Sequence, residues 1–277
     1  MSYLLINDEL KKASEHELLL NRGFLYGDGF FETMRVYDGM PLWLDLHQER
    51  IEMTLKNLKM KRSPFLEPRR FSRLIWDLIE ANEVTNGRLR LNVFRDADGY
   101  YMPTANDVMI VAKAEQLDMP LYHLNIDGLY VDIAEQVEIH ANYLNSVKSL
   151  GCQTQIMAAI EAKERGLDDL LIRNSKDNIA EAISSNIYLI RGNEAITPTM
   201  TEGAVFGIMR AVIQKRLPQI GLDLVIRPLT LADFTDAEEI WLTNSIKGIQ
   251  WVAGLRKKRY YSDKAKLMTE VLQKSVV

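Results

Sequence analysis

Residues 21–39 read NRGFLYGDGFFETMRVYDG, and they predict how the first half of the chain folds. The glycine-rich segment Gly23–Gly29 predicts a turn, because glycine adopts backbone conformations that other residues avoid. Phe30–Tyr37 follows as a strand. Asp38–Gly39 is then the sequence signal of a tight β-hairpin. A turn, a strand and a hairpin are therefore expected in succession.

Four further elements are predicted in this half. Apolar residues recur at helical spacing within Ile51–Leu58 and, more regularly, within Phe71–Ile79. Arg88–Phe94 alternates polar and apolar residues, which is the pattern of a half-buried strand. Val108–Ala112 is entirely apolar and predicts another strand. The first half should therefore combine two helices with short strands.

A linker is predicted near the middle of the chain. Glu115–Leu121 (EQLDMPL) fits neither helical nor strand periodicity and contains a proline. The prediction is a smaller N-terminal α+β domain at residues 1–115, a linker at residues 116–122 and a larger C-terminal domain at residues 123–277. Both domains would have an ordinary size.

The second half predicts a similar mixture of elements. One helix is expected over residues 149–165, beginning just after Lys148. Its apolar face would be formed by Ile156, Met157 and Ile160. A C-terminal helix is expected with Ser262 as its N-terminal cap. Strands are predicted at Tyr130–Ile133, Leu170–Arg173, Ile179–Ala182, Asn186–Ile190 and Glu239–Thr243.

The composition is that of an ordinary globular protein, with 47% hydrophobic and 26% charged residues among 277. A net charge of −4 argues against a nucleic-acid partner, since nucleic-acid binders usually carry a basic surplus. No apolar run approaches the ~20 residues of a membrane span, so no membrane partner is expected. The N-terminal MSYLLINDEL lacks the basic region and apolar core of a secretory signal. The single cysteine, Cys152, excludes an intrachain disulfide, and we expect a cytoplasmic protein in which Cys152 is a buried helix residue.

Two classes of catalytic site find no support in the sequence. The four histidines show no metal-ligand spacing and no cysteine is close to a histidine, so no metal site is expected. An α/β-hydrolase would need a GxSxG nucleophile elbow, which is absent. The remaining candidates are individual charged residues at the ends of predicted elements.

Lys148 and Glu181 are the strongest of these candidates. Lys148 precedes a helix whose entry, VKSLGC, is otherwise apolar and small. Most lysines are solvated, but a lysine held near a cleft can lose its proton and act as a Schiff-base amine. Glu181 lies in the mostly apolar strand NIAEAI, where a carboxylate is costly without a cationic partner. A protonated ring nitrogen would be such a partner, and the alternative is an edge strand with Glu181 facing water.

Three weaker signals point to a phosphate site. In Gly203–Arg210, GAVFGIMR, a glycine opens a helix, and free N–H groups at a helix start can bind phosphate. Arg50 could add a cation, and Ser245 follows a strand end where a hydroxyl could bind the same group. Alone, each is also typical of an ordinary surface or turn residue.

Taken together and in order, four blocks of sequence resemble the fold-type IV pyridoxal-phosphate enzymes, the class IV aminotransferases. That family includes branched-chain aminotransferase, D-amino acid aminotransferase and aminodeoxychorismate lyase. The blocks are residues 21–39 with HQERI, Lys148 with EAKERG, AEAISSNIYLI with ITP and GIMR, and WLTNSIKGIQ. The resemblance implies a two-domain α+β fold like that of D-amino acid aminotransferase. Pyridoxal 5′-phosphate would lie in the interdomain cleft, within the C-terminal domain, and the enzyme would be a homodimer.

The resemblance gives the candidates their roles. Lys148 matches the catalytic lysine that holds the cofactor as a Schiff base. Glu181 matches the acid that keeps the pyridine nitrogen protonated, so that the ring can act as an electron sink. Four positions match ligands of the cofactor phosphate. Arg50 and Ser245 would bind it through their side chains, and Ile208 and Met209 through their backbone amides.

The substrate side is matched less completely. Phe31 and Glu32 match residues that line it, and Tyr100 with its neighbour Tyr101 occupies the loop where some members carry a carboxylate-binding arginine. A tyrosine cannot replace a bidentate arginine without changing the contact. The family also usually has GITR where this chain has GIMR, so Met209 lacks a hydroxyl.

The motifs FET and NSIKGI look most like those of 4-amino-4-deoxychorismate lyase, which releases pyruvate and 4-aminobenzoate. Two alternatives stay open. One is an amino-acid transaminase that uses a branched-chain L- or D-amino acid with 2-oxoglutarate. The other is a catalytically silent family member that acts as a binding protein. For an enzyme of this family, the expected partner is a small amino-acid-like substrate.

Overall fold

The computed structural model describes residues 3–6, 9–12 and 20–276. Its helices are α1 (Arg22–Tyr26), α2 (Leu44–Asn57), α3 (Pro68–Ala81), α4 (Gln153–Glu164), α5 (Ile208–Gln214), α6 (Leu231–Asp236) and α7 (Asp263–Lys274). Its first strands are β1 (Tyr3–Ile6), β2 (Glu9–Lys12), β3 (Gly29–Tyr37), β4 (Met40–Pro41), β5 (Asn86–Arg95) and β6 (Val108–Gln116). The later strands are β7 (Leu129–Ile133), β8 (Asp169–Arg173), β9 (Ile179–Ala182), β10 (Asn186–Arg191), β11 (Glu194–Thr197), β12 (Asp223–Ile226), β13 (Glu239–Asn244), β14 (Gly248–Leu255) and β15 (Lys258–Arg259).

The first half folds around an antiparallel sheet of four strands in the order β4-β3-β5-β6. The predicted hairpin is confirmed, because Asp38 and Gly39 have φ angles of 50° and 70° between β3 and β4. Helices α2 and α3 cover one face of this sheet. Buried side chains from the strands and both helices meet there, among them Phe30, Met34, Leu55, Phe71 and Leu89.

The second half folds around a mixed sheet of nine strands. Eight of them follow the order β12-β11-β10-β13-β14-β7-β8-β9, and β15 pairs with β14. Helices α5 and α7 pack against its centre through a core that includes Met209, Trp241 and Met268. Helix α4 packs against β8. The mixture of helices and two separate sheets confirms the predicted α+β class.

The two halves are joined beside the centre of the molecule by backbone pairing. The Phe31 amide donates to the Lys148 carbonyl at 2.9 Å, and the Leu150 amide donates to the Gly29 carbonyl at 3.1 Å. Between them, Phe30 and Ser149 form an antiparallel bridge. The segment that carries Lys148 is therefore held directly against β3.

The segment between the sheets is clamped to the first one. Strand β6 ends at Gln116 and β7 begins at Leu129. The Arg35 guanidinium donates to the Met119 carbonyl at 3.0 Å, and the Asn86 amide donates to the same carbonyl at 2.8 Å. The predicted division into domains stays a prediction, but residues 117–122 of the predicted linker lie in the break between the two sheets.

Helix α4 differs from its prediction in start and orientation. It begins at Gln153 rather than at residue 149. The expected apolar face is exposed, since Ile156, Met157 and Ile160 have 55%, 42% and 44% of their surface accessible. The side chains that face β8 are small, with Ala158 fully buried. The predicted apolar face of Ile156, Met157 and Ile160 is therefore not the face that packs on the sheet, because close packing selects the alanine side.

The N-cap position of α7 is the predicted one, but its side chain does not satisfy the first amides of the helix. Ser262 is the N-cap residue, but its side chain makes no capping hydrogen bond. The buried carboxylate of Glu239, on β13, accepts instead from the amides of Lys264 at 2.7 Å and Ala265 at 3.0 Å. A carboxylate at this helix start also complements the helix dipole.

Two smaller features complete the description. The predicted turn at Gly23–Gly29 contains the one-turn helix α1, which ends at Gly27 with φ 65°. Across the described ranges, no helix has the length and apolar character needed to cross a bilayer.

Candidate active site

A cavity of about 810 Å³ lies where the start of β3, the start of α4 and the loops after β9 and β13 meet. Six of the predicted site residues line this cavity. They are Phe31, Arg50, Lys148, Glu181, Ile208 and Ser245. Residues that are far apart in sequence therefore converge on one space.

Lys148 is half-buried in the wall of this cavity. Its Nζ lies 4.5 Å from the centroid of the Phe31 ring. Burial lowers the pKa of the Lys148 amino group, and the charge of Arg50 lowers it further, while Glu181 and Glu32 oppose the shift. A lysine with a depressed pKa supplies neutral amine, the form that acts as a nucleophile or base.

Glu181 lies on β9 with only 5% of its surface exposed. Its Oε2 accepts from the Val205 amide at 2.9 Å, and its Oε1 accepts from the Gln155 side chain at 3.3 Å. Burial raises the pKa of this carboxyl to about 7, because two neutral donors and the more distant Lys148 offset desolvation only in part. Strand β9 does lie at the edge of its sheet, but Glu181 does not face water as the alternative expected, because its side chain is buried.

Arg50 forms a buried ion pair with Glu32. The guanidinium donates through Nε to Oε1 at 2.8 Å and through Nη2 to Oε2 at 2.5 Å. His47 Nδ1 lies 2.5 Å from the same Oε2. Although burial alone would raise it, the charges and hydrogen bonds of Arg50 and His47 hold the pKa of Glu32 at about 2. A third Arg50 donor reaches the Phe206 carbonyl at 2.7 Å, so its orientation toward the cavity is fixed.

The start of α5 approaches the adjoining strand closely. A Cβ on Gly207, the N-cap residue, would lie 1.7 Å from Asn186 Oδ1. Only glycine therefore fits at this point. Ile208 lines the cavity, whereas the Met209 side chain is fully buried in the core behind it.

Ser245 lies in the tight turn between β13 and β14. The turn is held by Asn244, whose Oδ1 accepts from the amides of Ile246 at 3.1 Å and Lys247 at 2.9 Å. Ser245 and Lys247 both line the cavity. This rigid turn places a hydroxyl and a cation on one side of the space.

Three predicted substrate residues lie elsewhere. Glu32 does not line the cavity, because its carboxylate is engaged by Arg50 and is 1% exposed. Tyr100 and Tyr101 have 82% and 93% of their surface accessible, outside the cavity wall. The loop that carries them is held by Arg22, which donates to the Tyr100 carbonyl at 2.6 Å. These three residues do not line the cavity of the single chain, and their assignment to the substrate side stays a prediction.

Arg90 is a candidate that the sequence reasoning missed, although it does not line the cavity itself and contacts it only through Phe31. Its guanidinium stacks on the Phe31 ring at 3.8 Å from the centroid, and its Nε donates to Asn92 at 3.1 Å. Within residues 20–276, no carboxylate pairs with it. The signal was present in the alternation of Arg88–Phe94, which places Arg90 on the same face of the sheet as Phe31.

Cys152 is half-buried rather than buried, and it precedes α4 as its N-cap residue instead of lying within the helix. It lines the cavity, and its thiol donates to the Ser149 carbonyl at 3.2 Å. No group of three or more His, Cys, Asp or Glu side chains that could hold a metal ion occurs in the part of the chain that the structure describes.

Comparison with known proteins adds a family and relatives. The family described as amino-transferase class IV matches residues 29–255. The aminodeoxychorismate lyase of Bacillus subtilis is 28% identical over 230 residues, which cover 82% of this chain and 77% of the lyase.

Two solved structures show the same fold. A branched-chain aminotransferase from Thermoproteus uzoniensis, solved with norvaline, has a TM-score of 0.84 at 19% identity, covering 98% of this chain and 93% of that one. A hypothetical aminotransferase from Mycobacterium tuberculosis, in a PLP-bound form, has a TM-score of 0.78 at 19% identity, covering 93% and 92%.

Proposed function

The chain belongs to the class IV aminotransferase family, and from this premise we propose that it is a lyase most like 4-amino-4-deoxychorismate lyase. The family assignment makes it a pyridoxal-phosphate enzyme of the lyase or aminotransferase type. The main support for an active enzyme is that Lys148 and Glu181 lie in the wall of the same cavity. A lysine with a lowered pKa can form a Schiff base with the cofactor. A buried carboxylate that has no hydrogen-bonded cation can pair with the cofactor's ring nitrogen.

The residues fit the cofactor at three points. Glu181 accepts only neutral donors among the described residues, which leaves a buried carboxylate suited to a protonated ring nitrogen. Arg50 spends three N–H groups on Glu32 and Phe206, and a guanidinium has five, so two remain for a phosphate. Ser245 and the backbone of Ile208 and Met209 would complete the phosphate site. When bound, the cofactor supplies an electron sink for charge that develops at the substrate's α-carbon.

The chain's own residues carry the proton and exclude water. The amino group of Lys148, whose pKa is lowered by burial, accepts the proton of the substrate's α-carbon and returns a proton later in the reaction. Phe31 covers this amine with an apolar ring face. Glu181 keeps its negative charge next to the ring nitrogen once a cation is there to pair with it.

A direct assay separates the candidate reactions. We expect protein loaded with pyridoxal phosphate to convert 4-amino-4-deoxychorismate into pyruvate and 4-aminobenzoate, measured by a coupled pyruvate assay and by 4-aminobenzoate fluorescence. Transfer of an amino group from an L- or D-amino acid to 2-oxoglutarate, without lyase activity, would assign the transaminase instead. Absence of both, with no cofactor attached to Lys148, would identify a silent binding protein.

Arg90 is proposed as the group that binds a substrate carboxylate, in place of the arginine missing from the loop at Tyr100. Replacing Arg90 with methionine should lower kcat/KM about ten- to a hundred-fold, mainly through KM, because a charged hydrogen bond is lost. Steady-state kinetics check this. The matched control is Arg62→Met, because Arg62 pairs with Glu52 and does not line the cavity. An unchanged KM in Arg90→Met would contradict the assignment.

We further propose that the protein works in the cytoplasm as a homodimer, as the family resemblance implies. Two apolar surfaces support a dimer. The first is on α4, where Met157 and Ile160 are exposed, and the second includes Tyr26 and Tyr101, whose exposed rings lie 6.0 Å apart. Monomeric proteins seldom expose several large apolar side chains together.

Replacing Ile160 with glutamate should therefore shift the protein toward monomers, with at least a ten-fold weaker dimer, because a charge would be buried in the apolar contact. Sedimentation velocity measures the shift. The control is Ile226→Glu, on the edge strand β12 and also half exposed at 50%. A wild-type protein that sediments as a monomer at micromolar concentration would rule out the dimer.

A further inference from the structure

Thr243 lines the cavity at the end of β13 but has no assigned part in it. Only 1% of its surface is exposed, and its Oγ1 has no hydrogen-bond partner within the described residues. A buried hydroxyl without a partner is rare, because desolvation is then not compensated. Such a group at a ligand cavity indicates that its partner belongs to the ligand.

The position of Thr243 points to one end of the cavity. Thr243 pairs with Asn186 across the sheet, and Asn186 is the residue against which Gly207 packs. Ser245 lies two residues further along the same chain and faces the same space. Thr243 thus lies between Gly207 and Ser245, on the side of the cavity proposed to hold the cofactor phosphate.

The start of α5 offers no side-chain hydroxyl to this side of the cavity, since Ile208 is apolar and Met209 lies in the core behind it. The Met209 side chain is fully buried among apolar residues and carries no hydroxyl. Threonine can exchange its methyl and hydroxyl positions by one rotation of χ1, so the Thr243 hydroxyl can turn to an acceptor without movement of the strand. The strand itself is fixed by pairing on both sides, with β10 and with β14.

We propose that the Thr243 hydroxyl is a ligand of the cofactor phosphate. The inference rests on the proposed function, since it needs the phosphate of a bound cofactor. It also explains why a polar side chain occupies a fully buried position in an otherwise apolar part of β13. In the cofactor-free protein the buried hydroxyl lacks a hydrogen bond and so lowers stability. In the loaded protein it would donate to the cofactor phosphate.

The test compares two ligands that differ only in the phosphate. Cofactor-free wild type, Thr243→Val and Thr243→Ser are titrated with pyridoxal phosphate and with pyridoxal, and the dissociation constants are measured by absorbance. Thr243→Val should bind pyridoxal phosphate about ten- to a hundred-fold more weakly and pyridoxal unchanged, while Thr243→Ser stays within a few-fold of wild type. Valine has nearly the same shape, so the melting temperature of the cofactor-free variant should be unchanged or higher.

The matched control is Thr197→Val. Thr197 is also a fully buried strand threonine, but its hydroxyl donates to the Ile187 carbonyl at 2.8 Å, and it does not line the cavity. This variant should melt at a lower temperature and keep the ratio of the two affinities. Equal affinities of wild type and Thr243→Val for pyridoxal phosphate, or an equal loss for both ligands, would overturn the inference while leaving the enzyme assignment intact. A wild type that binds neither ligand would instead refute the proposed function, and this inference with it.

Discussion

Replacing Lys148 with alanine is expected to reduce kcat by at least about a thousand-fold, because the residue is proposed both to attach the cofactor and to move the α-proton. The variant should still fold, since Lys148 is half-buried and alanine removes a charge from a partly desolvated position. Steady-state kinetics measure the loss of turnover. Borohydride treatment followed by peptide mass analysis should find cofactor fixed to Lys148 in wild type and to no residue in the variant.

A second lysine in the same cavity gives the matched control for this experiment. Lys247 lines the cavity from the turn after β13. Lys247→Ala should retain the borohydride-fixed cofactor on Lys148. Cofactor fixed to Lys247 in wild type, or turnover that survives in Lys148→Ala, would contradict the role assigned to Lys148.

Replacing Glu181 with glutamine is expected to change activity and stability in opposite directions. Turnover should fall by roughly a hundred- to a thousand-fold, because a neutral amide no longer stabilises positive charge at the ring nitrogen. The cofactor-free variant should be more stable than wild type at alkaline pH, because glutamine keeps the Val205 contact without burying a charge. Kinetics and thermal unfolding of the cofactor-free proteins measure the two effects.

The pH dependence of that stability difference follows from the shifted pKa. Burial raises the pKa of Glu181 from 4.5 to about 7, so the folded state holds this proton more tightly than the unfolded chain. Wild type therefore loses stability as the pH rises from about 4.5 through 7, by roughly 3 kcal/mol in all. The variant should show no such loss at this site. Parallel stability curves for the two proteins from pH 5 to pH 8 would show that Glu181 is not buried as described.

The sequence predicted well those strands and helices whose bounds depend only on neighbouring residues. Strand β9 begins and ends where the sequence placed it, at Ile179–Ala182, because a short apolar run bounded by turn residues is read the same way in sequence and in space. The convergence of Lys148 and Glu181 was predicted through family resemblance rather than through spacing. Periodicity alone left both residues with an ordinary alternative.

The errors arose where distant segments decide the outcome. The face of α4 that packs on β8 was not predicted, because the pattern of Ile156, Met157 and Ile160 cannot show that β8 accepts only the alanine side. The cap of α7 comes from Glu239, which lies outside the window in which caps are sought. Arg90 was visible as one polar residue of an alternating strand, but its value depends on Phe31, which comes from another strand.

The pairing of the Lys148 segment with β3 has a consequence for how the enzyme can fail. The reactive amine extends from a chain segment whose backbone is registered by hydrogen bonds to the opposite half of the molecule, at Gly29 and Phe31. Neither half alone can therefore present Lys148 in the right place. We expect a mutation that loosens this junction, even far from the cavity, to displace Lys148 and lower activity before it unfolds either sheet.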